Sequence, residues 1–246
     1  MTLKAVLIDF HGTLIKDAAL QQDLFAELLL RENLRPDPKR DRELCLGQPD
    51  RTCIELLLKQ RGRVVEPAYL DKLVQQKAIA YCQRLQTLPK VPLYVDIPDF
   101  CFGLRAEQIK IAVVTSELRS VVEQVLSASQ LDQYLDVVVS GEQFEQPRPA
   151  PDGYLQAIAT LNQQDPDLQC EPQNCLAVES SYLGIEAARR AGICVAAIAN
   201  LRPLHMLQRR ANWVVDSTRE LELERIRALL QQQQEPISQA PEASAI

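Results

Sequence analysis

The chain has 246 residues, 46% of them hydrophobic, and a formal net charge of −6. That is enough apolar material for one large core, or a core with a smaller inserted unit. No apolar run reaches membrane-span length, and an acidic chain with no basic stripe argues against nucleic acid as a partner. The seven cysteines are scattered and odd in number, which reads as reduced thiols and not a disulfide framework. Cys170 and Cys175 are the nearest pair, but with two histidines in the whole chain a zinc site there is not expected. The N-terminus lacks a signal-peptide layout, so the expected location is cytoplasmic.

The first predicted element is a strand at residues 3–9. The apolar run Ala5-Val6-Leu7-Ile8 ends in Asp9, and the chain then breaks at Gly12. A carboxylate at the carboxyl end of a buried strand lies where open α/β sheets place their chemistry. Residues 17–88 follow with helical periodicity and no convincing strand. Leu20, Leu24, Leu28 and Leu29 share one face. Ile54, Leu56, Leu57 and Leu58 form a second helix that stops before Arg61-Gly62. Leu70, Leu73, Ala78 and Tyr81 suggest a third, and Pro36, Pro38, Pro89 and Pro92 mark loops around and within the block.

Five more strands are predicted at residues 109–115, 136–140, 175–179, 194–199 and 213–215. Helices are predicted at 118–129, 153–161 and 182–191. The strands are rich in Val and Ile and do not alternate with polar residues, as expected when helices cover both faces of a parallel sheet. The expected division is an α/β core at 1–16 and 89–230, a helical cap at 17–88 and a disordered tail at 231–246. That tail holds four consecutive glutamines, two prolines and small residues, and packs too little apolar surface to fold. Docking of a protein partner is its alternative role.

Four polar segments end successive strands or follow them. They are Asp9, Thr115-Ser116, Pro147-Arg148-Pro149-Ala150-Pro151-Asp152, and Glu179-Ser180-Ser181 followed by Gly184-Ile185-Glu186-Ala187-Ala188. Singly, each reads as a helix cap or a stiff loop. In a parallel sheet all four converge on one edge.

In this order the segments resemble the four motifs of the haloacid dehalogenase superfamily, over residues 3 to about 216. The first of that family's motifs is Asp-x-Asp-Gly-Thr; here it is Asp9-Phe10-His11-Gly12-Thr13. Gly47-Gln48-Pro49-Asp50-Arg51 followed by Ile54-Glu55-Leu56-Leu57 is similar to the cap segment of the β-phosphoglucomutase and phosphoglycolate phosphatase branch. The resemblance implies a Rossmann-like, doubly wound parallel sheet with an inserted helical cap. It implies a phosphatase of a small phosphorylated metabolite, working through an aspartyl-phosphate on Asp9. Thr115, Ser116 and Arg148 would hold the phosphoryl group, and Arg51 in the cap is a candidate substrate contact. Mg²⁺ would be held by Asp9, the backbone carbonyl of His11 and the fourth motif, here Glu179 and Ser180.

Three residues depart from that pattern. His11 replaces the acid/base Asp, and reads either as a titrating replacement or as a turn residue contributing only its carbonyl. Arg148 replaces Lys and keeps the charge. Ser180 replaces Asp, and a neutral hydroxyl is a weak Mg²⁺ ligand, so weakened or absent metal binding is expected. The triple departure motivates a second reading, a catalytically impaired binding or regulatory protein. Carbon-centred chemistry, as in the dehalogenases, ranks third.

Overall fold

The computed structural model describes residues 3–232. In chain order the elements are β1 (Ala5–Asp9), α1 (Ala18–Arg31), α2 (Pro38–Cys45), α3 (Asp50–Lys59), α4 (Pro67–Thr87), α5 (Ile97–Ala106), β2 (Lys110–Val114) and α6 (Arg119–Ala128). They continue with β3 (Val137–Val139), α7 (Asp152–Gln164), β4 (Cys175–Glu179), α8 (Tyr182–Arg190), β5 (Cys194–Ile198), α9 (Leu204–Leu207), β6 (Trp213–Val215) and α10 (Leu223–Gln232). The six strands form one sheet in the order β3-β2-β1-β4-β5-β6, and every pairing is parallel.

The buried strand residues explain both layers. Successive side chains point to opposite faces. Val6 and Ile8 of β1 join Ile111, Val113, Leu176 and Val178 in one core cluster, with α5 and α6. Ala5 and Leu7 join Ala112, Val114, Ala177 and Val195 in the other, with α7 and α8. The chain builds outward from β1 to β3, then returns and builds the other way from β4 to β6. A topological switch point therefore falls beside the carboxyl end of β1, where a ligand crevice is expected.

Helices α1 to α4 lie between β1 and β2 and enclose a third cluster, which includes Phe25, Leu29, Ile54, Leu57, Leu70 and Leu73. This helical block, called the cap below for its position, is fastened to the sheet layers by the second half of α4, whose Ala78, Tyr81 and Leu85 pack into the first cluster with Leu24 of α1. Between those halves Lys77 is buried. Its Nζ donates to both carboxylate oxygens of Asp50 at 2.7 and 2.5 Å and to Gln21 Oε1, and it lies 4.8 Å from the Phe25 ring centre.

Four helices go beyond the sequence expectation, one of them the short α9. Pro36 and Pro38 read as loop markers, but Pro38 opens α2, where its missing N–H costs nothing, and Asp37 caps it by accepting from Arg40 N–H at 3.2 Å. Helix α5 begins with Pro98 in its first turn and carries Gly103, a composition that masks a short helix. Helix α10 runs through Gln232, so the first two residues of the predicted disordered tail are helical. The rest of that tail, 233–246, lies outside the described residues.

Asp96, which precedes α5, ties the cap-to-core passage to the 3₁₀ turn Thr218–Glu220. Its Oδ2 accepts from Ser217 Oγ at 2.6 Å, Thr218 N at 2.8 Å and Thr218 Oγ1 at 2.6 Å. Burial alone would raise its pKa, but these hydrogen bonds outweigh burial and hold it below the usual carboxylate value. A depressed folded-state pKa stabilises above the unfolded-state value of about 3.9 and loses that contribution as pH falls through the folded value. Asp96→Asn is expected to cost about 2 kcal/mol above about pH 5. The gap from the parent should begin to close near about pH 4 and vanish only below the folded-state value, as followed by urea unfolding across pH.

Candidate active site

The carboxyl ends of β1, β2 and β4 and the loop before α7 bring Asp9, Thr115, Ser116, Arg148, Glu179 and Ser180 together beneath the cap. Asp9 ends β1 and is 3% exposed. The Arg148 guanidinium lies between two carboxylates, with Nη1 2.8 Å from Asp9 Oδ1 and 3.2 Å from Glu179 Oε1. Its Nη2 donates to the Val114 carbonyl at 2.8 Å, which anchors the loop to the end of β2. The Arg148–Pro149 peptide within that loop is cis.

Glu179 is fully buried and fully engaged. Oε1 accepts from the Tyr154 hydroxyl at 2.6 Å, and Oε2 accepts from the N–H groups of Ser180 and Ser181. Burial raises its pKa, with the charge of Arg148 pulling back, to about 7. The Thr13 hydroxyl lies 3.2 Å from Asp9 Oδ2 and 3.0 Å from Ser180 Oγ. The Ser180 hydroxyl in turn reaches the His11 carbonyl at 3.4 Å.

Thr115 and Ser116, the two hydroxyl residues that follow β2, line the cavity. Thr115 Oγ1 accepts from Glu117 N–H at 3.1 Å, which leaves its own proton to donate. Ser116 Oγ is buried with no hydrogen-bond partner. An orphaned buried hydroxyl in a cavity wall marks a place where a polar ligand group completes the bonding. Two hydroxyl donors and a guanidinium around Asp9 can hold a tetrahedral oxyanion.

The His11 ring is neither an idle turn group nor a free acid. Its Nδ1 is 2.7 Å from Asp17 Oδ2, and its Nε2 is 3.0 Å from Glu117 Oε2. Burial works against its charge, but the two carboxylates outweigh burial and raise the pKa to about 10. His11 is an imidazolium that donates both N–H groups and links the first-motif loop to the cap and to the end of β2. The network continues through Tyr81, whose hydroxyl donates to Asp17 at 2.8 Å, and Gln21, whose Nε2 donates there at 3.0 Å.

Two glycines shape the rim. Gly12 has φ +77°, and a Cβ there would lie 2.6 Å from Leu201. Gly47, in the cap loop before α3, has φ +81°, and a Cβ there would lie 2.7 Å from the Ser181 Cβ. Only glycine lets the cap loop approach the fourth segment this closely.

Above the polar floor is a cavity of about 350 Å³ lined by both cap and core. The expected cap contact, Arg51, is not in that lining: it is half exposed and paired with Asp71 on α4. Arg42 of α2 lines the cavity instead. Sequence reasoning passed over Asp17, Glu117 and Tyr154 as site residues. Glu117 directly follows Thr115-Ser116, so adjacency to the motif was a usable signal for it. Asp17 and Tyr154 offered none, because only folding brings them to the site.

The profile of the haloacid dehalogenase-like hydrolases matches residues 6–198. The chain belongs to this family. It is 28% identical over 193 residues to a phosphoglycolate phosphatase of Aquifex aeolicus, covering 77% of this chain and 82% of that one. It is 29% identical over 197 residues to validoxylamine A 7'-phosphate phosphatase of Streptomyces hygroscopicus, covering 78% and 84%. The fold matches the crystal structure of β-phosphoglucomutase from Clostridium difficile with a TM-score of 0.80 at 18% identity, covering 95% and 99%. The parallel sheet is the one the sequence implied.

Proposed function

We propose that this chain is a phosphatase of a small phosphorylated metabolite in which Asp9 attacks phosphorus. The observation that carries the reading is the grouping of Asp9 with Arg148 and the hydroxyl residues Thr115 and Ser116 in one cavity lining, the Ser116 hydroxyl unpartnered. An Asp9 oxygen forms the bond to phosphorus while the ester oxygen departs with the bonding pair. Arg148, Thr115 and Ser116 hold the phosphoryl oxygens and balance their charge. Water then cleaves the aspartyl-phosphate and regenerates Asp9. The two phosphatases named above support hydrolysis over a non-catalytic role. Among the described residues no helix is long and apolar enough to cross a membrane.

Proton supply to the leaving oxygen is the weak point of this site, because both His11 protons are already donated to carboxylates. General acid catalysis is worth about 10²–10⁴ in rate. Aryl phosphates, which leave without a proton, are therefore expected to turn over at least about 10²-fold faster than alkyl phosphates. Phosphate-release assays on matched esters test this; equal rates would show that an acid operates.

Phosphatases of this family generally use Mg²⁺. The donor set here does not fit a tightly held divalent ion. Asp9 Oδ1 is paired with Arg148, Ser180 is neutral, and both Glu179 oxygens are occupied by protein donors. Among the described residues no group of three or more His, Cys, Asp or Glu is placed to hold a metal. Ser180→Asp is expected to tighten Mn²⁺ binding by at least about tenfold, read by electron paramagnetic resonance titration, since it adds an anionic oxygen ligand. Equal affinity in parent and variant would show that Ser180 is not at a metal position.

A further inference from the structure

The phosphoryl group occupies the floor of the cavity, and the remaining volume must receive the alcohol from which phosphate is cleaved. The wall of that remainder is apolar in large part: Phe25, Pro36, Leu46 and Cys53 from the cap, with Leu201 from the core. Most of its charged groups are already paired: Asp9 with Arg148, Asp17 and Glu117 with His11, Asp41 with Arg61 and Asp50 with Lys77, while Asp23 and Arg42 also line the cavity.

The cap's other cations near this wall are spent on partners within the cap. Lys77 is held on Asp50, and Arg61 on Asp41 at 2.7 Å. Arg63 is held on Glu32 at 2.6 Å, and Arg51 on Asp71. Arg42, among the described residues, is the one cationic side chain that the cap places in the lining, and it is exposed to solvent. A second phosphate would thus meet apolar side chains and carboxylates already paired with cations, and a single solvated arginine to receive it. Such an anion gives up its hydration without a compensating clamp.

We propose that the substrate is the monophosphate ester of a neutral alcohol with an apolar face, and that the cap rejects substrates carrying a second anionic group. This rests on the phosphatase reading above and names its substrate class. The apolar wall rewards an alkyl or ring surface through burial, by about fourfold per methylene removed from water. The lack of a free buried cation in the cap's wall discriminates against bisphosphates and phosphorylated acids.

Isothermal titration of the intact protein with uncleavable phosphonates tests this independently of turnover. Methylphosphonate, n-butylphosphonate and 3-phosphonopropionate share one head group and differ in their distal part. Butylphosphonate is expected to bind at least about tenfold tighter than methylphosphonate. Phosphonopropionate, close to it in length but ending in a carboxylate, should bind no tighter than methylphosphonate. Leu46→Asn, at a half-buried wall position, should erase much of the alkyl gain. Tighter binding of the carboxylate probe, or equal binding of all three, overturns the substrate class. Phosphate release from the matching esters, assayed alongside, separates the two readings: the predicted binding order without turnover of any ester sinks the phosphatase reading alone, whereas turnover with a reversed order sinks the substrate class alone. No binding by any probe overturns both.

Discussion

Asp9→Asn is expected to lower kcat for an aryl phosphate by at least about 10³-fold while leaving the fold intact. The amide keeps the size of the carboxylate and loses its nucleophilicity. In the folded protein Asp9 meets Arg148 at 2.8 Å and Thr13 at 3.2 Å, and an amide oxygen still accepts from either. Arg148 also keeps Glu179 as an anionic partner, so the loss of stability is expected to stay within about 1–2 kcal/mol. Substrate binding should be retained or tightened, because Thr115, Ser116 and Arg148 remain and one anion facing the phosphate has gone. The distinguishing result is therefore a collapse of kcat without a rise in KM, a pattern that a misfolded or partly unfolded variant does not give. Phosphate-release kinetics and an unfolding curve on the same preparation decide it. Retention of more than about a tenth of the parent's kcat would remove Asp9 from the nucleophile's role.

The core of the fold was legible because its strands are apolar on both faces, and a Val- and Ile-rich run between helices has few other solutions. Each strand was located to within two residues at either end. Helix α2 was lost because Pro38 was read as a breaker, although Asp-Pro at a helix start is a favourable N-terminus. The floor of the site was legible for a different reason: residues at strand ends meet by topology alone, so Asp9, Thr115, Arg148 and Glu179 could be gathered before any coordinate. The wall could not be gathered that way. Arg51 was the reasonable cap cation by position, yet it points to Asp71 while Arg42, one helix earlier, lines the cavity. Which face of a short cap helix looks inward depends on how α1 to α4 pack on one another. The state of His11 was equally hidden, because Asp17 and Glu117 lie on different segments and only the closed arrangement puts its ring between them.

Removing the guanidinium should disturb stability and activity together. Arg148 is 9% exposed and stands between Asp9 and Glu179, themselves 5% and 0% exposed at their side chains. Arg148→Met fills much of the same volume but leaves two buried carboxyl groups without their shared cation. Breaking a buried pair by deleting one partner costs about 3–5 kcal/mol, far more than the pair contributes when compared with a well-packed apolar replacement. The same change strips the floor of its one fixed cation, so kcat is expected to fall by at least about 10³-fold. Arg148→Lys is the informative contrast. A lysine keeps the charge between the carboxylates but cannot reproduce the fork that also reaches the Val114 carbonyl. Its expected cost is about 1–2 kcal/mol, with activity reduced about tenfold and not abolished. Urea unfolding of the three proteins, with phosphate release measured on each, tests the ordering parent, Lys, Met. If Met is as stable as the parent, the two carboxyl groups do not depend on Arg148 for charge balance, and the arrangement of the site proposed here is wrong at its centre.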